Sequence, residues 1–75
     1  MTAMRKFEYE ILIGRSDSAV SAGVIWYRSS DLRVSLGPNL PRILNEMGQL
    51  GWEVVGLGDV GFDSKSEIIL KREIG

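Results

Sequence analysis

Leu40-Pro41-Arg42-Ile43-Leu44-Asn45-Glu46-Met47-Gly48-Gln49-Leu50-Gly51-Trp52-Glu53-Val54-Val55 decides the fold of this 75-residue chain. Leu40, Ile43, Leu44, Met47 and Leu50 recur at spacings of three and four and form one apolar helical stripe. Arg42, Asn45, Glu46 and Gln49 fill the opposite side. Asn39 is a good N-cap, and Pro41 is tolerated because first-turn amides have no intrahelical partner. Gly51 sits where a left-handed residue ends a helix. Gly48, inside the last turn, costs about 1 kcal/mol relative to Ala. It points either to a close backbone approach or to a last turn already loosening. Trp52 to Leu57 then reads as a strand, with Trp52 the anchor against which Leu44 and Met47 pack.

Upstream, Phe7, Tyr9, Ile11 and Ile13 alternate with Lys6, Glu8, Glu10 and Leu12, the pattern of a half-buried strand. The helix is expected to cover the first set. After turn chemistry at Gly14–Ser18, Ala22 to Arg28 reads as a second strand forming a hairpin with the first. Ser29-Ser30-Asp31 is a turn, and Leu32 to Leu36 is either a short edge strand or an ordered loop. Downstream, Asp59 to Lys65 is a turn-rich bridge. Ser66 to Ile74 is the last strand, antiparallel to Trp52–Leu57. These elements predict one domain over residues 1–75. It is an α+β fold in the order β-β-α-β-β, with a largely antiparallel four-stranded sheet and one helix on one face. The expected core is the helix stripe with Phe7, Tyr9, Ile11, Trp52, Val54, Ile68 and Leu70.

Composition narrows the functions. The formal charge is −1, with no Cys and no His. That excludes a generically basic nucleic-acid binder, a disulfide scaffold, a thiolate metal site and the usual neutral-pH proton shuttle. No apolar run is long enough for a transmembrane helix, and Met1 to Lys6 leads into no signal core, so the expectation is a cytoplasmic protein with no membrane partner.

Candidate sites reduce to structure when their chemistry is weighed. Gly56-Leu57-Gly58-Asp59-Val60-Gly61 matches G-x-G-x-x-G, but phosphate binding needs a helix opening at the third Gly, and a strand follows here. Glu8, Glu10, Glu67 and Glu73 read as strand-face carboxylates paired with Lys6, Lys71 and Arg72. Asp59 and Asp63 are too few oxygens for a hard cation. Ser64-Lys65-Ser66 has nothing to bury its lysine. No catalytic, metal-binding or cofactor-binding residue is assigned, and no enzyme activity is expected. Aromatics beside basic residues could stack single-stranded bases, but Phe7 and Tyr9 are expected under the helix and acidic residues dilute the basic ones; no nucleic acid is expected.

Three pieces read together resemble a known family: Lys6-Phe7-Glu8-Tyr9, Ile43 to Val55, and Ile68-Ile69-Leu70-Lys71-Arg72. In this order they resemble the small prokaryotic family called domain of unknown function 4177. The central Leu44-Asn45-Glu46-Met47-Gly48-Gln49-Leu50-Gly51-Trp52-Glu53 is the most specific of them. The segment 14–38 is long for that family. The resemblance implies a small α+β domain and carries over no catalytic residue.

A chain this small buries only about 60–65% of its surface, which favours oligomerisation. A single helix cannot cover both faces of the sheet. Leu12, Val55, Leu57 and Ile69 are therefore expected to form an apolar strip on the far face, with one of Trp26 and Tyr27, whose side chains point to opposite faces. The function expected is a non-enzymatic module that self-associates into a homo-oligomer or binds a protein partner through that strip. The alternative is a small-molecule-binding module with a pocket between subunits near Trp26 and Tyr27.

Overall fold

A computed structural model of the chain describes residues 4–58 and 66–74. The helix α1 runs Leu40–Gln49. Asn39 caps it as its spacing predicts, with Oδ1 accepting the Arg42 amide at 3.2 Å. Gly51, at φ +92°, ends it. The Trp52 amide returns to the Met47 carbonyl at 3.1 Å and the Gly51 amide to that of Gly48 at 3.0 Å, the paired bonds of a Schellman motif. Its usual hydrophobic contact is present too, because Met47 and Trp52 share the core cluster. A Cβ on Gly48 would meet nothing within 4 Å, so this glycine serves no close approach.

The sheet has five strands, not four: β1 Phe7–Ser16, β2 Val24–Arg28, β3 Asp31–Gly37, β4 Glu53–Gly58 and β5 Ser66–Glu73. Every neighbouring pair is antiparallel, in the order β3-β2-β1-β5-β4. The expected hairpins β1–β2 and β4–β5 are both present. The additional strand is Leu32–Leu36 in its edge-strand reading. Ser29 and Ser30 turn the chain back so that Arg28 faces Asp31. Two-residue hairpins normally use primed turns with positive φ, yet no non-glycine residue here has one. The turn is fastened from outside by Glu10, and the β2–β3 register is irregular on both sides of Tyr27. The bridge 59–65 lies outside the described residues, and with it Asp59, Val60, Gly61, Asp63 and Ser64-Lys65; Gly56-Leu57-Gly58 belongs to β4.

Leu12, Trp26, Ile68 and Leu70 from the sheet, Ile43 and Met47 from the helix, and Trp52 form one buried cluster. Strict pairing of β1 with β5 puts Glu8, Glu10 and Leu12 on one face, and Phe7, Tyr9, Ile11 and Ile13 on the other. The helix covers the face of Leu12, the reverse of the assignment made from hydrophobicity. Tyr9 and Val54, both expected in the core, are exposed. The physical reason is local. Leu40 shares a groove with Trp26, Leu57 and Ile68, and the Leu50 carbonyl meets Arg72, so α1 runs alongside β5 in the same direction. It covers the Leu12 half of β1, and the two glutamates on that face pair with Arg72 and Arg28. On the other face Ile13 and Ile25 are nevertheless buried.

Candidate functional site

Leu12, Val55, Leu57 and Ile69, expected in one apolar strip with one of Trp26 and Tyr27, fall in three places, and Trp26 and Tyr27 point to opposite faces of the sheet. Leu12 and Trp26 are buried beneath the helix and present no surface. Ile69 and Tyr27 are half-buried on the opposite face, Ile69 opposite Ile11 and Tyr27 opposite Ile13. Val55 and Leu57 lie on β4, an edge of the sheet. The face shift on β1 takes Leu12 to the helix side, and a register shift within β4 takes Leu57 there too, whereas Ile69 keeps the far face.

Exposed large apolar side chains include Val54, Val55 and Leu57 on that edge strand, Leu50 at the helix end, Tyr9 on β1 and Val34 on β3. Leu57 is 76% exposed, Leu50 59%, Val54 49% and Val55 47%. One helix lying along β5 does not reach across β4. Ladder pairing sets Val54 against Leu70 and Leu57 against Ile68, so both share the helix-side face. Val55 is the extra residue of a bulge between them. Beside Leu57, a groove of about 450 Å³ opens between the helix start and the sheet, lined by Trp26, Leu40, Leu57, Ile68 and the Ser66–Glu67 stretch. Composition alone does not mark Val54 as a site residue, because its exposure depends on which strand ends the sheet; Leu40 and Ile68 line the groove as half-buried and buried residues.

Glu8, Leu50, Trp52 and Arg72 meet at the far end of the helix. The Arg72 guanidinium is paired with Glu8, stacks over the Trp52 ring at 4.5 Å, and donates to the Leu50 carbonyl at 3.1 Å. A cation at a helix C-terminus is favoured by the helix dipole, and the planar fork of Arg suits stacking and hydrogen bonding together. This cluster fastens helix end, β1 and β5 to one another.

Like Glu67, Glu10 is a buried acid. Its carboxylate accepts from the Ile11 amide (3.0 Å), Ser29 Oγ (2.5 Å), the Ser30 amide (3.3 Å), Ser30 Oγ (2.6 Å) and Arg28 Nε (3.1 Å). Burial pushes this carboxyl up, and the bonds from Ser29, Ser30, Ile11 and Arg28 outweigh it, leaving it below the ordinary carboxylate range. A general acid needs the opposite shift, so Glu10 is built to hold a turn. On the exposed surface, hydrogen bonding and charge from Arg5 hold Glu73 low.

Phe7 and Tyr9 lie on the face away from the helix, which overturns one of the two grounds for expecting no nucleic acid. Two of the cations there have acidic mates: Arg5 sits 5.5 Å from the Phe7 ring and pairs with Glu73, and Lys71 sits 4.6 Å from it and pairs with Glu53, while Arg15 lies 5.4 Å from the Tyr27 ring. Among the described residues no group of three or more acidic side chains is placed to hold a metal ion, and no helix is long and apolar enough to cross a membrane. No family model, no curated protein and no solved structure matches the chain.

Proposed function

We propose that this protein is a non-enzymatic association module whose working surface is the β4 edge with its apolar flank. The observation that carries this reading is the 76% exposure of Leu57 on an edge strand, next to exposed Val54 and Val55. Edge strands offer unpaired amides and carbonyls to another chain, and natural proteins usually blunt them with charge or proline. Glu53 is the one charged residue of β4, and no proline is present in it. An apolar patch at such an edge marks an interaction surface. The test is the mass of the wild-type chain by light scattering over a wide concentration range. Reversible growth of the mass with concentration supports the reading, and a monomer throughout, in the presence of no other protein, overturns self-association.

The groove beside Leu57 favours a second reading, a binding site for a small apolar ligand. Its walls are Trp26, Leu40, Leu57 and Ile68, with polar groups at one end. Trp26 belongs to it, whereas Tyr27 is on the other face of the sheet. Quenching of Trp fluorescence by a short-chain fatty acid or an aromatic hydrocarbon, absent in Leu40→Lys, is the expected sign.

A further inference from the structure

The bulge at Val55 selects one way for β4 to meet a second copy of itself. In a regular strand, residues three apart point to opposite faces, and Val54 and Leu57 would be divided between the two sides of the sheet. Here Val54 pairs with Leu70 and Leu57 with Ile68, so the inserted residue brings both to the helix-side face. Glu53, Gly56 and Gly58, opposite Lys71, Ile69 and Glu67, take the other face.

Building on the association reading above, we infer that the occupant of the β4 edge is a second copy of this chain. It is joined by an antiparallel β4–β4 ladder in which Val54 of each copy lies opposite Leu57 of the other. Residues directly opposite one another in a ladder share a face, and a two-fold axis requires the same surface on both partners. This register satisfies both conditions along the whole strand: Glu53 meets Gly58, Val54 meets Leu57, and Val55 meets Gly56. Shifting it by one residue either way sets Val54 against Gly58 or Gly56 and so opposes side chains from different faces. Shifting it by two leaves strand ends unpaired.

Charge agrees with the same register. Glu53 is the sole charge on β4 and lands opposite a glycine, so the two glutamates stay at opposite ends of the interface. Each keeps its own Lys71, 3.8 Å away, and no like charges meet. The two Val54 and two Leu57 side chains, exposed in the single copy, form an apolar cluster on the helix side. The joined sheets then leave only the β3 edges free.

The chain has no cysteine, so paired substitutions read the register cleanly. Val54→Cys and Leu57→Cys chains are prepared separately, checked for unchanged circular dichroism, and oxidised mildly at concentrations where the wild type associates. Opposed Cβ atoms about 4.5–5.5 Å apart can be bridged with slight adjustment, whereas like residues about 10 Å apart along the strands cannot. The expected result is a disulfide dimer in the mixture and none in either variant alone. Dimers from one variant alone, or no cross-link in a chain that still associates, overturn the register while leaving self-association standing. A wild type that stays monomeric overturns both.

Discussion

Gly14 and Trp26 face each other across β1 and β2, and a Cβ on Gly14 would come within 3.0 Å of both Cη2 and Cζ3 of the indole. The ring lies where the glycine leaves room, and this contact seats Trp26 in the core beside Ile68 and Leu12. A glycine inside a strand is costly in itself, and an aromatic laid over it compensates. Gly14→Ala is expected to destabilise the fold by about 1–3 kcal/mol, since a rigid indole in a packed core must shift. Urea denaturation checks this, and an unchanged midpoint would show that the ring has freedom to move.

Glu10 gives the protein a pH dependence in the acid range. Its folded-state carboxyl titrates below its unfolded value, so its contribution is present above the ordinary carboxylate range and is lost as pH falls through the lower, folded value. Glu10→Gln is expected to cost about 1–3 kcal/mol at pH 7 by leaving the hydroxyl, amide and guanidinium donors that converge on this buried position poorly matched. The gap between wild type and variant should close as pH is lowered below about 4. A gap that stays constant with pH would assign the loss to packing instead.

The two helix-end glycines should respond in opposite directions. Gly48 has open space around it and ordinary helical φ, so Gly48→Ala should stabilise by about 1 kcal/mol, with Tm higher by about 4–8 °C. Gly51 holds φ +92°, and Gly51→Ala should cost about 1–2 kcal/mol. Both are compared at one protein concentration, because association shifts the apparent stability.

Arg72 joins three interactions that Lys cannot reproduce together. Arg72→Lys keeps the charge toward Glu8 but loses the planar stack on Trp52, and is expected to cost about 1–2 kcal/mol. Near-ultraviolet circular dichroism should change with it. Equal stability of the two proteins would reduce the cluster to a surface ion pair.

The helix and its two ends were legible because local chemistry fixes them: Asn39 accepts the Arg42 amide, and Gly51 alone suits the left-handed turn before Trp52. The strands at Phe7, Val24, Glu53 and Ser66 were legible from period and β-branching. Which face of β1 meets the helix was not. Phe7, Tyr9, Ile11 and Ile13 make the more apolar set, yet Glu8 and Glu10 turn inward because distant Arg72, Arg28, Ser29 and Ser30 satisfy them. Hydrophobicity along one strand carries no record of such partners. The fifth strand stayed undecided between an edge strand and a loop for a related reason, since its turn is held by Glu10 and not by Asn-Gly chemistry. The site followed from strand order, and no property of Leu57 itself shows that β4 ends the sheet.

Sedimentation of Leu57→Lys beside the wild type tests the central claim most directly. An exposed edge lysine disturbs no core contact and is a usual device against edge pairing. The account predicts a wild type that associates, and a variant that sediments as a monomer at the same concentration with an unchanged circular dichroism spectrum. A variant that keeps the wild-type mass would contradict it.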